Sequence, residues 1–247
     1  MLATAFFANS ARIAYPDGGL FRAIKAAFIK AYVKDDGRIK GDTQTCYVLA
    51  LRFDLLPENL RSKALQHLVD DIEKRGWHAS TGFVGVGHLL PALADGGRLD
   101  VAYRLLMNDT FPSWGFSIKH GATTIWERWD GWTPEKGFQD PGMNSFNHYS
   151  FGSVGEWLYR TVAGIAPATP GYEHILFAPR PGGGLTWAKA EYESIRGRIS
   201  SSWTLKDGQF TLEIVVPPNT TATVSLPGSE KGLEVEAGRH SFKSRVK

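Results

Sequence analysis

The chain has 247 residues, 43% of them hydrophobic and 21% charged, a balance that excludes a disordered polypeptide and allows one large domain or two ordinary ones. A formal net charge of +3 with no dense Lys/Arg block excludes an electrostatic footprint for nucleic acid. No apolar run approaches the ~20 residues needed to span a bilayer, and Met1 to Ala11 lacks the basic start and long apolar run of a signal peptide, so a cytoplasmic location is expected.

Up to about Ile165 the apolar spacing is helical. Phe21, Ile24, Phe28 and Tyr32 share one face, as do Cys46, Leu49 and Phe53, and then Leu65, Leu68 and Ile72. Asp42 is the expected N-cap of the Cys46 helix, and Gly76 the stop after Lys74-Arg75. Cys46 cannot form an intrachain disulfide, being the only cysteine, and its apolar neighbours predict a buried structural thiol. Val101 and Leu105, then Phe151, Val154, Leu158 and Val162, continue the helical period. Short helices joined by Gly/Pro/Asp turns predict stacked antiparallel hairpins. From about Tyr172 the period changes to two. Ile199, Ser201, Trp203 and Leu205 alternate with polar neighbours, and Asp207-Gly208 turns the chain into Phe210, Leu212, Ile214 and Val216. Pro217-Pro218-Asn219 turns it again toward Ala222 and Val224. This predicts a small antiparallel sandwich of roughly 75 residues. The stretch Ala166 to Gly171 is the expected junction, and Pro179 to Gly184 a loop within the sandwich.

Five of the eight tryptophans lie between Trp114 and Trp157, where carboxylates and amides also gather. Flat aromatic faces beside hydroxyl-binding side chains suit a sugar, whereas a Trp-rich core would need no ligand. Glu127 follows a possible β-type run, Ala122 to Ile125, and stands between Trp126, Trp129 and Trp132. A partly desolvated carboxylate there suits proton transfer; a salt bridge to Arg128 or another basic residue is the alternative. Asp130 and Asp140 read as turn formers. In Asn144-Ser-Phe-Asn-His148 the amide, hydroxyl and imidazole groups can grip a ligand hydroxyl or cap the following helix, a task that suits Asn144 or Ser145 better than His148. The histidines lack metal-ligand spacing, so neither a metal nor another cofactor is expected. Gly82-Phe-Val-Gly85-Val-Gly87 fits neither a dinucleotide loop nor a P-loop; a turn, or close approach to a ligand at a rim, suits it better.

Several motifs occur in collinear order: Gly41-Asp-Thr-Gln-Thr45, Thr81-Gly-Phe83 with Leu89-Leu-Pro-Ala-Leu93, Pro112-Ser-Trp-Gly115, and Gly121-Ala-Thr-Thr-Ile-Trp-Glu-Arg-Trp-Asp130. Asn144 to His148, Gly155-Glu-Trp-Leu-Tyr159 and Pro181-Gly-Gly-Gly-Leu-Thr-Trp-Ala188 follow. Together they closely resemble the bacterial α-L-rhamnosidases over almost the whole chain. The resemblance implies part of an (α/α)6 toroid of helical hairpins in residues 1–168 and a C-terminal β-sandwich in 169–247. It also implies inverting hydrolysis of terminal α-L-rhamnose from glycosides. In that chemistry one carboxylic acid protonates the leaving oxygen and a second carboxylate, roughly 6.5–9.5 Å away, activates water. The family's general base maps onto Glu127 and its sugar-binding histidine onto His148, with Trp126 and Trp129 as weaker candidates for the pocket wall.

The family's general acid belongs to an acidic segment that has no counterpart here, and six or seven helices are visible against the twelve of a full toroid. The resemblance therefore implies the C-terminal portion of such an enzyme, weakly active or inactive alone. Half a toroid would leave apolar helix faces uncovered, so self-association or an upstream half as partner is expected. Two other readings stand beside this one: a non-catalytic carbohydrate-binding or structural remnant, and a related toroid enzyme acting on another sugar.

Overall fold

The computed structural model describes residues 1–15, 17–229 and 231–246. Contacts divide the chain into two compact units, Met1–Val154 and Gly155–Lys247.

The first unit is a succession of helical hairpins: α1 (Leu2–Ala14) with α2 (Gly19–Tyr32), α3 (Gln44–Arg52) with α4 (Glu58–Lys74), and α5 (Val86–Asp95) with α6 (Leu99–Leu106). Helices α3 and α5 pack on each other and are buried almost all round, from Cys46 to Leu51 and from Leu89 to Ala94. Their partners are amphipathic: α4 buries Leu60, Ala64, Leu65, Leu68, Val69 and Ile72 and turns Lys63, Asp70, Glu73 and Lys74 outward. In α1 the buried residues are Ala5, Ala8 and Ala11, while Phe7 and Ile13 are 57% and 72% exposed. Gly76 is left-handed just beyond α4, as its position in the sequence suggests. Cys46 is buried. Among the described residues no helix is long and apolar enough to cross a membrane.

The start of α3 differs from expectation. The cap is Thr43, whose backbone is extended and whose Oγ1 accepts from the Cys46 amide at 3.3 Å. Asp42 cannot serve because its backbone is left-handed; its carboxylate accepts instead from the Tyr47 hydroxyl and from Arg38. Burial, reinforced by Asp42, pushes the Tyr47 phenol well above its usual range.

After α6 the chain makes α7 (Trp114–Lys119), then a long irregular segment holding the two-residue strands β1 (Trp132–Thr133) and β2 (Gly137–Phe138) and a 3-10 turn at Pro141–Met143. The β-type run expected at Ala122 to Ile125 is a loop. Two four-residue helices follow, α8 (Tyr149–Gly152) and α9 (Val154–Trp157).

The second unit begins within α9, continues in a π-helical turn, Leu158–Ala163, and holds two four-stranded sheets. One runs β3 (Ile165–Pro167), β4 (His174–Phe177), β8 (Thr221–Val224), β9 (Leu233–Val235). The other runs β10 (Gly238–Arg245), β7 (Gln209–Val216), β6 (Gly197–Lys206), β5 (Trp187–Ser194). Period two governs burial: Ile199, Ser201 and Trp203 of β6 point inward, as do Phe210, Leu212, Ile214 and Val216 of β7. Asp207 and Gly208, both at positive φ, make the tight β6–β7 hairpin. One pair departs from the antiparallel expectation: β4 and β8 run parallel, joined through three strands of the other sheet, β5, β6 and β7. Ala166 and Pro167, expected in a junction, belong to β3 and pair with β4.

Candidate active site

A cleft of about 840 Å³ opens in the helical unit. It is lined by Glu127, Arg128, Trp129 and Asp130 and by Arg75, His78, Ser80, Gly82 and Phe83, with Phe111 and Phe151 adding apolar surface. Such a mixture of aromatic faces and few polar groups is what small-ligand sites show.

Glu127 sits on the irregular segment between α7 and α8, which lacks a regular ladder and is held by individual bonds. The Glu127 amide donates to Ser145 O at 2.8 Å, and the Ser145 amide donates back to Glu127 Oε2 at 2.8 Å. Two further ties lie beside this clamp: His148 N donates to Ile125 O at 2.9 Å, and Asn144 Nδ2 to Gly131 O at 2.9 Å. A short bond from Thr124 Oγ1 to Phe146 O closes the loop. One carboxylate oxygen of Glu127 is thus fixed by a backbone N–H. Its other oxygen makes no hydrogen bond among the described residues.

The guanidinium beside Glu127 is occupied elsewhere. Arg128 Nε and Nη2 each lie 3.0 Å from one oxygen of Asp130, a two-pronged ion pair. Those bonds hold the Asp130 carboxyl below its ordinary range, so it stays ionised and is a poor proton donor. The salt bridge that competed with a catalytic reading of Glu127 goes to its neighbour instead.

Trp129 forms a cleft wall, packed between Phe151 at 4.1 Å and Trp114 at 5.1 Å between ring centres, with its indole N–H donated to Thr81 O at 2.8 Å. Trp126 is buried, edge-on to Phe146, and does not line the cleft. Trp132 packs on His120 and is likewise absent from the cleft lining. His148 caps α8: its Nδ1 accepts from the Ser150 amide at 3.1 Å, the task that Asn144 or Ser145 was expected to perform. With Nδ1 accepting, the imidazole N–H lies on Nε2. The ring itself is outside the cleft lining but touches Phe83, which is within it, at 5.3 Å. Gly82 faces open space, while Gly85 is the N-cap of α5, so this glycine run makes a turn at the rim. Asp140 caps a short 3-10 turn by accepting from the Gly142 amide at 2.8 Å.

Sequence reasoning missed the part of the lining that comes from residues 75–80. Arg75, His78 and Ser80 belong to no motif of reactive residues, and only the fold brings them to Glu127's cleft.

Residues 18–162 match the family model described as the bacterial α-L-rhamnosidase 6 hairpin glycosidase domain, and residues 164–241 that of the bacterial α-L-rhamnosidase C-terminal domain. The chain belongs to the bacterial α-L-rhamnosidase family. It is 51% identical over 238 residues to a Streptomyces avermitilis α-L-rhamnosidase, which covers 92% of this chain and 23% of the relative. A Formosa agariphila α-L-rhamnosidase is 42% identical, over 96% of this chain and 27% of that protein. Among solved structures, the S. avermitilis α-L-rhamnosidase complexed with L-rhamnose superposes with a TM-score of 0.93 at 47% identity, covering 98% of this chain and 26% of the other. The Aspergillus terreus α-L-rhamnosidase superposes with a TM-score of 0.88 at 36% identity, over 99% and 29%. The chain spans about a quarter of the length of these rhamnosidase relatives.

Proposed function

We propose that the cleft is part of the sugar site of an inverting α-L-rhamnosidase, with Glu127 as the general base. The observation that carries this reading is the state of that side chain: it opens on the cleft, one oxygen is fixed by the Ser145 N–H, the other is uncommitted, and the guanidinium next to it in sequence, Arg128, is held by Asp130. A carboxylate so held can accept a proton from water without first breaking an ion pair. Trp129 offers a flat face to the sugar ring. In this reading His148, in ring contact with Phe83, donates from Nε2–H to a sugar hydroxyl at that end. The relative solved with L-rhamnose supports rhamnose-bearing glycosides as the substrate class.

An inverting hydrolase also needs a general acid. The carboxylates lining this cleft are Glu127 and Asp130, and the Arg128 pair keeps Asp130 ionised. The chain alone is therefore expected to hydrolyse an aryl α-L-rhamnoside very slowly, and Glu127→Gln should abolish what turnover there is. Turnover that survives Glu127→Gln contradicts the assignment. The lack of a proton donor in the cleft also favours a second reading, a carbohydrate-binding module without chemistry. That reading requires L-rhamnose affinity with no turnover even when the remaining hairpins of the domain are supplied. The exposed Phe7 and Ile13 of α1 support packing of this unit against further hairpins or a second copy.

A further inference from the structure

One fully buried amide reaches the rim of the cleft at several points. Gln44, at the start of α3, is 0% exposed. Its Nε2 donates to Asp71 Oδ2 at 3.0 Å and to His78 O at 3.1 Å, while its Oε1 accepts from the Ser80 amide at 2.7 Å. All three bonds leave α3. Asp71 Oδ2 also takes Arg75 Nε at 2.8 Å, so the same carboxylate oxygen joins Gln44 to a guanidinium on the cleft wall. Next to Ser80, the Thr81 carbonyl accepts the indole N–H of Trp129, two residues from Glu127.

We infer that Gln44 is a positioning residue for the cleft. Its amide fixes the segment 78–81, the Thr81 carbonyl of that segment fixes the Trp129 indole, and Trp129 steadies the loop that presents Glu127. The sugar-binding half of this inference rests on the function proposed above; the geometric half does not. The chemistry of the pocket selects the residue. It presents a carboxylate and a carbonyl that need donors beside an N–H that needs an acceptor, and a primary amide supplies both from one side chain. Glutamate lacks the donors and methionine lacks everything but the shape. Packing alone would be served by an apolar side chain of similar volume, so the amide is there for its three bonds.

The test uses the full chain and two readouts: the hydrogen-exchange rate of the Trp129 indole N–H, and L-rhamnose affinity. Gln44→Met should accelerate indole exchange by about tenfold or more and weaken L-rhamnose by a similar factor, since buried groups lose their partners. Gln44→Glu, which keeps only the acceptor for Ser80, should show the same change in the same direction. The reference is Val69→Ala, a buried α4 position outside the cleft lining, which should lower the melting temperature while leaving indole exchange within about twofold of the parent. Exchange in Gln44→Met within twofold of the parent, or matched by Val69→Ala, overturns the inference. If Gln44→Met fails to fold, Gln44→Glu decides by the same criterion, and failure of both to fold makes the role a structural one and overturns it as well. Should the parent chain bind no L-rhamnose, the proposed function fails while the exchange comparison still decides the positioning role.

Discussion

The two units are specified in different ways. In the sandwich, neighbouring residues carry the instructions: alternation sets which face of β6 and β7 is buried, and Asp207-Gly208 sets their register. In the helical unit, the cleft is made of segments with little regular structure, tied by bonds between residues far apart in sequence. Gln44 and Ser80 are 36 residues apart, Trp129 and Thr81 48, and Ser150 and Phe83 67. The comparison teaches that strand pattern is a local property, whereas the geometry of this site is set by single polar bonds over long sequence distances.

The sharpest challenge to that contrast is Gly164, a sandwich-unit position that alternation does not explain. Its φ is +80°, and an added Cβ would stand 2.2 Å from the Pro179 nitrogen. Gly164→Ala should cost more than about 3 kcal/mol in a urea titration, because strain and a backbone clash add. A loss under about 1 kcal/mol would mean that the close approach relaxes freely. Next in size, Asp130→Asn should free Arg128 to pair with Glu127 and lower kcat/KM by about tenfold in a protein carrying its general acid. Its effect on folding should be about 1 kcal/mol or less, since the pair is partly exposed. The sign of the pH dependence follows from the depressed Asp130 carboxyl. The pair's stabilisation is fully present above about pH 4 and is lost as pH falls through the lower folded value, so parent and variant should converge in strong acid.

The smallest effect concerns His88, whose pKa is lowered chiefly by burial and also by Arg52. Below about pH 6.5 the unfolded chain binds a proton that the folded one resists, so stability falls as pH drops from there through the lower folded value. His88→Gln should flatten urea-unfolding stability across that window; an unchanged slope would show that other groups govern it.

Much of the fold was legible in the sequence, and the site only in part. Helical faces such as Leu65, Leu68 and Ile72, and the alternation of β6, follow from periods that burial enforces. The parallel β4–β8 pair was not legible, because the pairing of strands distant in sequence is not written in the period of either one. Glu127 could be picked out by its tryptophan-rich setting, yet only one of its neighbouring tryptophans, Trp129, lines the cleft. Thr43 displaced Asp42 as a cap through a backbone dihedral, and His148 took the cap expected of Asn144 or Ser145. Gln44 was visible as a motif letter, but the burial that gives its amide meaning depends on helices elsewhere in the chain.

The most direct measurement is a titration of the chain with L-rhamnose followed by NMR, reading the Trp129 indole, the Ser145 amide and the His148 imidazole. Saturable shifts are expected at all three, with Glu127→Gln keeping the binding and changing the Ser145 signal. Absence of saturation, or shifts confined to the sandwich strands, would contradict it.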